Sequence, residues 1–135
     1  MTESPMVLVD TNVLLDVTGA DSRWLDWSLE QMSRFPERLV INPLIYAELC
    51  YQAGSIEEVE ATMASLGLHY RELPREALFL ASQAYCNYRQ RGGTKTAPLA
   101  DFFIGAHAQA EGFTLLTRDT ARYQTYFPTV RLIGP

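Results

Sequence analysis

The stretch "MVLVDTNVLLD", residues 6–16, combines two patterns that together favour an α/β fold. Its four apolar residues 6–9 are too few for a helix and are typical of a short buried strand. The run stops at a carboxylate, Asp10, and residues 12–17 are predicted to form a helix. A strand that leads directly into a helix is typical of parallel sheets, which bind ligands at the carboxyl ends of their strands.

The remainder of the chain repeats this alternation of short strands and helices. The other predicted strands are 39–41, 69–72, 114–117 and 130–133, and the other predicted helices are 22–35, 43–53, 56–66, 75–89, 98–111 and 120–126. Asn42 followed by Pro43 marks a helix start, and Gly54 and Gly112 suit the left-handed residue after a helix. This order predicts an α/β fold in which a mostly parallel sheet is covered by helices on both faces.

Length and composition are those of a globular protein with one core. The 135 residues are 47% hydrophobic and 20% charged, so we expect a single domain spanning 1–135. No apolar run is long enough to span a bilayer, and residues 1–5 lack the basic and apolar parts of a signal peptide, which predicts a cytoplasmic protein. Eleven basic against sixteen acidic residues give a net charge of −5, so a nucleic-acid partner would need a local basic patch.

The segment "YRQRGGTKTAP", residues 88–98, is the candidate for that patch. It concentrates Arg89, Arg91 and Lys95 around two glycines and is predicted to be a mobile basic loop. A solvent-exposed basic loop that binds no RNA would contain the same residues. Arg118 is a further candidate, either for a phosphate contact or for an ion pair with the adjacent Asp119.

Other residues of chemical interest have simpler explanations. Cys50 and Cys86 lie in apolar helical contexts without paired metal spacing, so buried free thiols are expected rather than a disulfide or a zinc site. His107 has no cysteine or second histidine at zinc-ligand spacing, which favours a packing or surface role. Asp16 and Asp26 are interpreted as solvated acids.

Four acidic residues stand out because each lies within or at the end of an apolar stretch. They are Asp10 in 6–15, Glu48 in 40–54, Asp101 in 97–110 and Asp119 at the end of "FTLLTRD", residues 113–119. Asp10 and Asp119 could cap the helices that follow them, and Asp101 could be a first-turn acid favoured by the helix dipole. Glu48 lies in the middle of a predicted apolar helix, where neither explanation holds and an unpaired carboxylate would be costly.

A divalent cation would account for all four carboxylates together. Acids at the ends of the first and fourth strands and on two helices can converge at one edge of a parallel sheet. Hard oxygen ligands of this kind suit Mg²⁺ or Mn²⁺. The spacing of the acids therefore makes a metal site plausible.

Four stretches, read as a set, resemble the PIN-domain ribonucleases, and most closely the VapC-like toxins of toxin–antitoxin systems. They are "VLVDTNVLLD", "INPLIYAEL", "PLADFFIGAHA" and "LLTRDTARYQTYFPTVRLI", and they follow the order of the family. The resemblance implies a three-layer α/β/α fold with a five-stranded parallel sheet in the order 3-2-1-4-5. It also implies that the catalytic metal ligands are Asp10, Glu48, Asp101 and Asp119.

The same resemblance implies an activity and its partners. The expected activity is hydrolysis of an RNA phosphodiester by a Mg²⁺-dependent endoribonuclease, in which Mn²⁺ can substitute and the metal activates a water for in-line attack. Asn12 and Thr117 match polar positions that would orient the acids or the substrate. Arg89, Arg91, Lys95 and Arg118 would then hold RNA. The expected partners are an antitoxin that covers the site and a second copy in a homodimer.

Two other interpretations of the sequence remain open at this point. A strand followed by aspartate also opens the haloacid-dehalogenase phosphatases, in which Asp10 would be the nucleophile. The general acid two residues later would then be Asn12, which cannot donate a proton as a carboxylic acid does. The second interpretation is a PIN-like module that binds RNA or protein without catalysis, against which the complete set of four acids counts.

Overall fold

The computed structural model describes residues 5–94 and 99–135, which form one parallel sheet with helices on both faces. The strands are β1 (Val7–Val9), β2 (Leu39–Ile41), β3 (Leu68–Tyr70), β4 (Thr114–Leu116) and β5 (Leu132–Ile133). The helices are α1 (Thr11–Thr18), α2 (Leu25–Ser33), α3 (Pro43–Cys50), α4 (Ile56–Leu66), α5 (Arg75–Gln90), α6 (Ala100–Glu111) and α7 (Thr120–Gln124). The predicted α/β class and the three-layer α/β/α arrangement are confirmed.

The sheet order is β3-β2-β1-β4-β5 and every neighbouring pair is parallel. Leu8 of β1 lies in register with Val40 of β2 and with Leu115 of β4. All three strands are buried along their whole length, as expected of strands covered on both faces. The order 3-2-1-4-5 is therefore confirmed, and the carboxyl end of β1 lies at the centre of the sheet.

Helix caps explain most of the element boundaries. The Asn42 side chain accepts a hydrogen bond from the Ile45 N–H and Pro43 occupies the first turn, so α3 begins where the sequence predicts. Gly112 ends α6 in the left-handed conformation, as predicted. The expectation for Gly54 is wrong, because α3 already ends at Cys50 and Gly54 is not among the glycines with positive φ.

Most predicted elements have slightly different bounds in the structure, and three of them illustrate this. The helix predicted over 22–35 is α2, Leu25–Ser33, because Asp21 accepts hydrogen bonds from the N–H groups of Arg23 and Trp24 and forms a turn there. The strand predicted over 69–72 is β3, Leu68–Tyr70, and begins at the buried Leu68. The last strand covers only 132–133 of the predicted 130–133.

Helix α6 packs closely against the chain after α7, and a glycine makes this possible. A Cβ added to Gly105 would lie 2.3 Å from the ring of Phe127, which is itself buried. The close approach fixes α7 and its flanking residues over the start of α6. Asp101, in the first turn of α6, is thereby placed beside α7.

The structure also bears on the two cysteines and on the search for membrane-spanning helices. Cys50 and Cys86 are free, as predicted, but both are exposed rather than buried, because each lies on the side of its helix that faces solvent. The described helices include none that is both long enough and apolar enough to cross a membrane.

Candidate active site

Asp10 lies at the centre of the candidate site, directly after β1. Its Oδ1 accepts the N–H of Thr11 at 2.8 Å, which makes it the N-cap of α1 as the simplest interpretation predicted. Its Oδ2 accepts the hydroxyl of Thr117 at 2.8 Å and that of Tyr123 at 2.9 Å. Only 4% of Asp10 is exposed, so these donors replace water around a buried carboxylate.

Glu48 is linked to Asp10 through a single residue. The Thr11 hydroxyl donates to Glu48 Oε1 at 2.7 Å, while the Thr11 N–H donates to Asp10. Glu48 is partly buried rather than turned out to solvent. The apolar helix α3 therefore presents its one charged side chain to the carboxyl edge of the sheet.

Asp101 approaches Asp10 from the opposite side. The Tyr123 hydroxyl lies 2.9 Å from Asp10 Oδ2 and 3.4 Å from Asp101 Oδ1, and its single proton favours the shorter contact. Burial raises the pKa of the Asp101 carboxyl; the charge of Arg122 lowers this pKa and the charge of Asp10 raises it. Burial and the two carboxylates raise the pKa of Tyr123 well above its ordinary value, so the hydroxyl stays a donor.

Arg122 neutralises part of this negative charge. Its Nε lies 3.2 Å from Asp101 Oδ2, and its Nη2 lies 2.8 Å from Asp119 Oδ2. Asp119 occupies the N-cap position of α7 but makes no capping bond with its side chain, so the capping explanation fails for it. The four acids are therefore connected by one chain of hydrogen bonds and ion pairs through Thr11, Tyr123 and Arg122.

The donor chemistry of this site fits a hard divalent cation, because all four charged groups are carboxylates and the intervening groups are hydroxyls. Within 5–94 and 99–135, however, no three His, Cys, Asp or Glu side chains lie close enough together to hold one metal ion. Arg122 forms ion pairs with two of the four carboxylates, Asp101 and Asp119. Arg122 would therefore compete with a cation for Asp101 and Asp119.

The comparison with protein families identifies the family of this fold. The model of the PIN domain matches residues 7–128. The chain belongs to the PIN-domain family. Asp10, Glu48, Asp101 and Asp119 all fall within the matched residues, whereas a comparison with curated proteins gave no match.

Solved structures confirm that the PIN fold extends over nearly the whole chain. A chain of VapBC2 from Rickettsia felis, bound to a DNA fragment from its promoter, is 18% identical with a TM-score of 0.68 over 96% of this chain and 98% of that one. DNA-bound VapBC from Salmonella typhimurium is 18% identical, with a TM-score of 0.67 over 97% and 98%. A toxin–antitoxin complex from Klebsiella pneumoniae is 21% identical, with a TM-score of 0.66 over 96% and 97%.

The two polar residues expected to support the PIN acids both contact them. Asn12 Nδ2 lies 3.5 Å from Asp10 Oδ2, and its Oδ1 accepts the N–H of Arg118 at 3.3 Å. Thr117 is fully buried, donates to Asp10 and accepts the N–H of Asp119 at 3.0 Å. Their positions suit an orienting role, which stays a prediction.

The residues predicted to bind RNA lie in different environments in the structure. Arg89 belongs to the last turn of α5, since that helix runs to Gln90, and its guanidinium donates to the Gly93 carbonyl. Arg91 lies over the ring of Tyr126. Lys95 lies outside the described residues. The prediction that 88–98 is a loop is therefore wrong for residues 88–90.

Arg118 pairs with Asp16 and not with Asp119, the acid that the sequence suggested. Its Nε lies 2.7 Å from Asp16 Oδ2, and the same oxygen accepts the hydroxyl of Ser28 at 2.7 Å. Asp16 is only 2% exposed, so the expectation of a solvated acid is wrong. The tertiary contact between α1, α2 and the loop after β4 buries it.

His107 has the packing role expected of it. Its Nδ1 accepts from the Asn42 amide at 3.2 Å, and its Nε2 lies 2.6 Å from Glu111 Oε2. Burial lowers the pKa of this imidazole against the opposing effect of Glu111. A neutral ring with its proton on Nε2 satisfies both partners, and it ties α3 to α6 beneath the acids.

Sequence reasoning did not single out three groups of the network that joins the four acids, namely Thr11, Arg122 and Tyr123. The spacing of Asp119 and Arg122 is a signal that was available, because residues three apart on a helix are neighbours. For Tyr123, which is fully buried, no local pattern indicates that its hydroxyl reaches two acids from other elements. Thr11 sits beside Asp10 in the opening stretch, but its contact with Glu48 is purely tertiary.

Proposed function

We propose that this chain is a metal-dependent endoribonuclease that hydrolyses RNA phosphodiester bonds and acts as the toxin of a toxin–antitoxin pair. The observation that supports the proposal is the convergence of the four isolated acids into one network at the carboxyl end of β1. Membership of the PIN family supports the proposal, because the four acids lie in the stretches that carry the resemblance to that family. A structural role alone would not bring four carboxylates into one network, in which Arg122 pairs with two of them.

Asp10, Glu48, Asp101 and Asp119 would hold Mg²⁺, for which Mn²⁺ can substitute. When bound, the cation lowers the pKa of a water and offsets charge on the phosphoryl oxygens. The protein contributes the orientation of its ligands: Thr11, Thr117 and Tyr123 hold both oxygens of Asp10 in fixed directions. No side chain in this proposal acts as a covalent nucleophile.

The proposed partners follow from the relatives. The similar chains from Rickettsia felis, Salmonella typhimurium and Klebsiella pneumoniae come from complexes that contain an antitoxin or are named VapBC. We propose that this chain likewise binds a cognate antitoxin, forms a homodimer and acts in the cytoplasm. An antitoxin segment that covers the acids would control access of RNA to them.

The decisive experiment is RNA cleavage with Mg²⁺, Mn²⁺ or EDTA. We expect cleavage with either cation, none with EDTA, and products that carry a 5′-phosphate and a 3′-hydroxyl. Asp101→Asn should reduce the rate by at least about 100-fold, because a lost ligand costs more than the 10–100-fold typical of its supporting groups. Cleavage that persists in EDTA, or a 2′,3′-cyclic phosphate product, would contradict the proposal.

Thermal unfolding tests the metal separately from the reaction. We expect Mg²⁺ to raise the melting temperature, since an ion that binds only the folded state stabilises it by about 2.7 kcal/mol at 100 times its dissociation constant. Arg122→Gln removes the cation that now pairs with Asp101 and Asp119. This variant should therefore show a larger Mg²⁺-dependent shift than the wild type.

The matched control is Arg75→Gln at the start of α5, an exposed arginine for which the structure gives no contact with the four acids. Its response to Mg²⁺ should equal that of the wild type. If neither the wild type nor Arg122→Gln responds to Mg²⁺, the non-catalytic binding module becomes the better interpretation of the fold.

A further inference from the structure

A small, mostly apolar pocket opens directly beside the acidic site. Its volume is about 140 Å³, and its walls are Tyr88 of α5, Leu99 and Phe102 at the start of α6, and Tyr126 and Phe127 after α7. Asp101 and Arg122 complete its lining. The pocket therefore shares a wall with the acidic site, since Asp101 belongs to both.

Three aromatic rings form the apolar part of this pocket. The ring centroids of Tyr88 and Phe102 are 5.6 Å apart, those of Phe102 and Tyr126 are 5.5 Å apart, and those of Tyr88 and Tyr126 are 6.4 Å apart. All three pairs are edge-to-face. Phe102 is buried and the two tyrosines are partly exposed, so the cluster has a fixed floor and accessible walls.

Two guanidinium groups border the pocket, one of which, that of Arg122, already pairs with Asp101 and Asp119. Arg122 lines it, and the guanidinium of Arg91 lies 5.6 Å from the centroid of the Tyr126 ring. These are side chains of a protein whose net charge is −5. An aromatic pocket flanked by guanidinium groups suits a ligand that has a flat ring and a negative charge close to it.

We propose that this pocket binds one unstacked base of the RNA strand, next to the phosphodiester that the acids hydrolyse. The inference rests on the proposed function, to which it adds a single-stranded substrate. A pocket of about 140 Å³ is smaller than the roughly 300–1,000 Å³ that drug-sized ligands occupy, so it takes one ring system. The shared Asp101 places that ring adjacent to the reacting phosphate.

The physical advantage of such a pocket is that binding does not depend on which base enters it. Stacking on an aromatic side chain is available to every base because every base has a π-face. A base inside a duplex cannot enter, since it is already stacked and paired. The pocket therefore selects single-stranded segments and positions the backbone for the acids, while the arginines offset the phosphate charge.

The test is equilibrium binding of single-stranded RNA to the intact chain carrying Asp10→Asn, which prevents cleavage during the measurement. The probe is a fluorescein-labelled oligoadenylate, together with a series in which one nucleotide at a time lacks its base. Tyr126→Leu in this background keeps an apolar side chain and removes one stacking wall. Phe79→Leu, at an exposed aromatic residue outside the pocket, is the matched control.

We expect Tyr126→Leu to weaken binding by about tenfold, within the range of one lost stacking contact. One abasic position should weaken binding to the Asp10→Asn parent by a similar factor and should not weaken the Tyr126→Leu variant further, because the two changes remove the same contact. Phe79→Leu should bind like its parent. Leu99→Ser should also weaken binding, and it should fold, because serine suits the N-cap position that Leu99 occupies.

Unchanged RNA affinity in both Tyr126→Leu and Leu99→Ser would overturn the inference. Abasic losses that add fully to that of Tyr126→Leu would do the same. If the two variants instead lose affinity for the antitoxin while binding RNA normally, the pocket is a protein contact. Absence of cleavage by the wild type would contradict the proposed function alone, since the binding measurement does not depend on turnover.

Discussion

Replacing Asp10 by asparagine is expected to abolish RNA cleavage while leaving the fold intact. Asparagine is as good an N-cap as aspartate, so its Oδ1 can still accept the N–H of Thr11. The hydroxyls of Thr117 and Tyr123, which now donate to Oδ2, can rotate to accept from the amide instead. Only the negative charge is lost, and with it a central cation ligand.

The expected loss in rate is at least about 100-fold, measured as initial cleavage of a labelled RNA in Mg²⁺. The melting temperature of Asp10→Asn should lie close to that of the wild type in EDTA, and Mg²⁺ should no longer raise it. Asp26→Asn, which neutralises an exposed acid in the first turn of α2, is the control and should cleave normally. Full activity of Asp10→Asn would be incompatible with a metal-dependent nuclease.

The second large effect is expected on stability, at Asp16. Substitution by alanine removes the acceptor of two short hydrogen bonds, one from Ser28 and one from the guanidinium of Arg118. Hydrogen bonds to charged groups contribute about 1.5–3 kcal/mol each, and a buried donor left alone costs more than one in water. Because Arg118 is partly exposed and regains water, we expect the free energy of unfolding to fall by about 2–3 kcal/mol.

Chemical denaturation of Asp16→Ala measures this loss directly. Asp26→Ala removes an acid from the same pair of helices without a buried partner, and its free energy of unfolding should change by at most about 1 kcal/mol. Equal effects of the two substitutions would mean that the contact between Asp16, Ser28 and Arg118 does not hold α1, α2 and the loop after β4 together. Cleavage by folded Asp16→Ala should persist, since Asp16 does not contact the other acids.

Much of the fold is predictable because the strands are short, apolar and followed by recognisable helix starts. Asn42 and Pro43 fix the beginning of α3, and Gly112 fixes the end of α6. The strand order is not contained in these local signals, because it depends on which strands pair. It came from the likeness of the four acidic stretches to a known family.

The candidate site was predictable to a similar extent. A charged residue alone in an apolar stretch is unusual enough to be noticed, and Glu48 shows this most clearly, since no helix cap explains it. The partners of those acids were not predictable. Tyr123 reaches Asp10 across 113 residues of chain, and Thr11 reaches Glu48 across 37.

The exposure of single side chains was the weakest part of the sequence reasoning. Asp16 looks like a surface acid because aspartate is rarely buried without a partner. Its partners, Ser28 and Arg118, come from another helix and from the far end of the chain. Cys50 looks buried because its neighbours are apolar, but the direction in which it points depends on how α3 packs.

By itself the sequence of this protein determined the alternation of strands and helices, the family and which four acids are candidates for the site, because each depends on motifs of residues close together in the chain. The tertiary structure alone decided that Arg122 pairs with Asp101 and Asp119, that Tyr123 lies between Asp10 and Asp101, and that an aromatic pocket shares Asp101 with the site. The physical reason is range: propensity, capping and hydrophobic period act over a few residues. Hydrogen bonds, ion pairs and pockets join groups that only folding brings together.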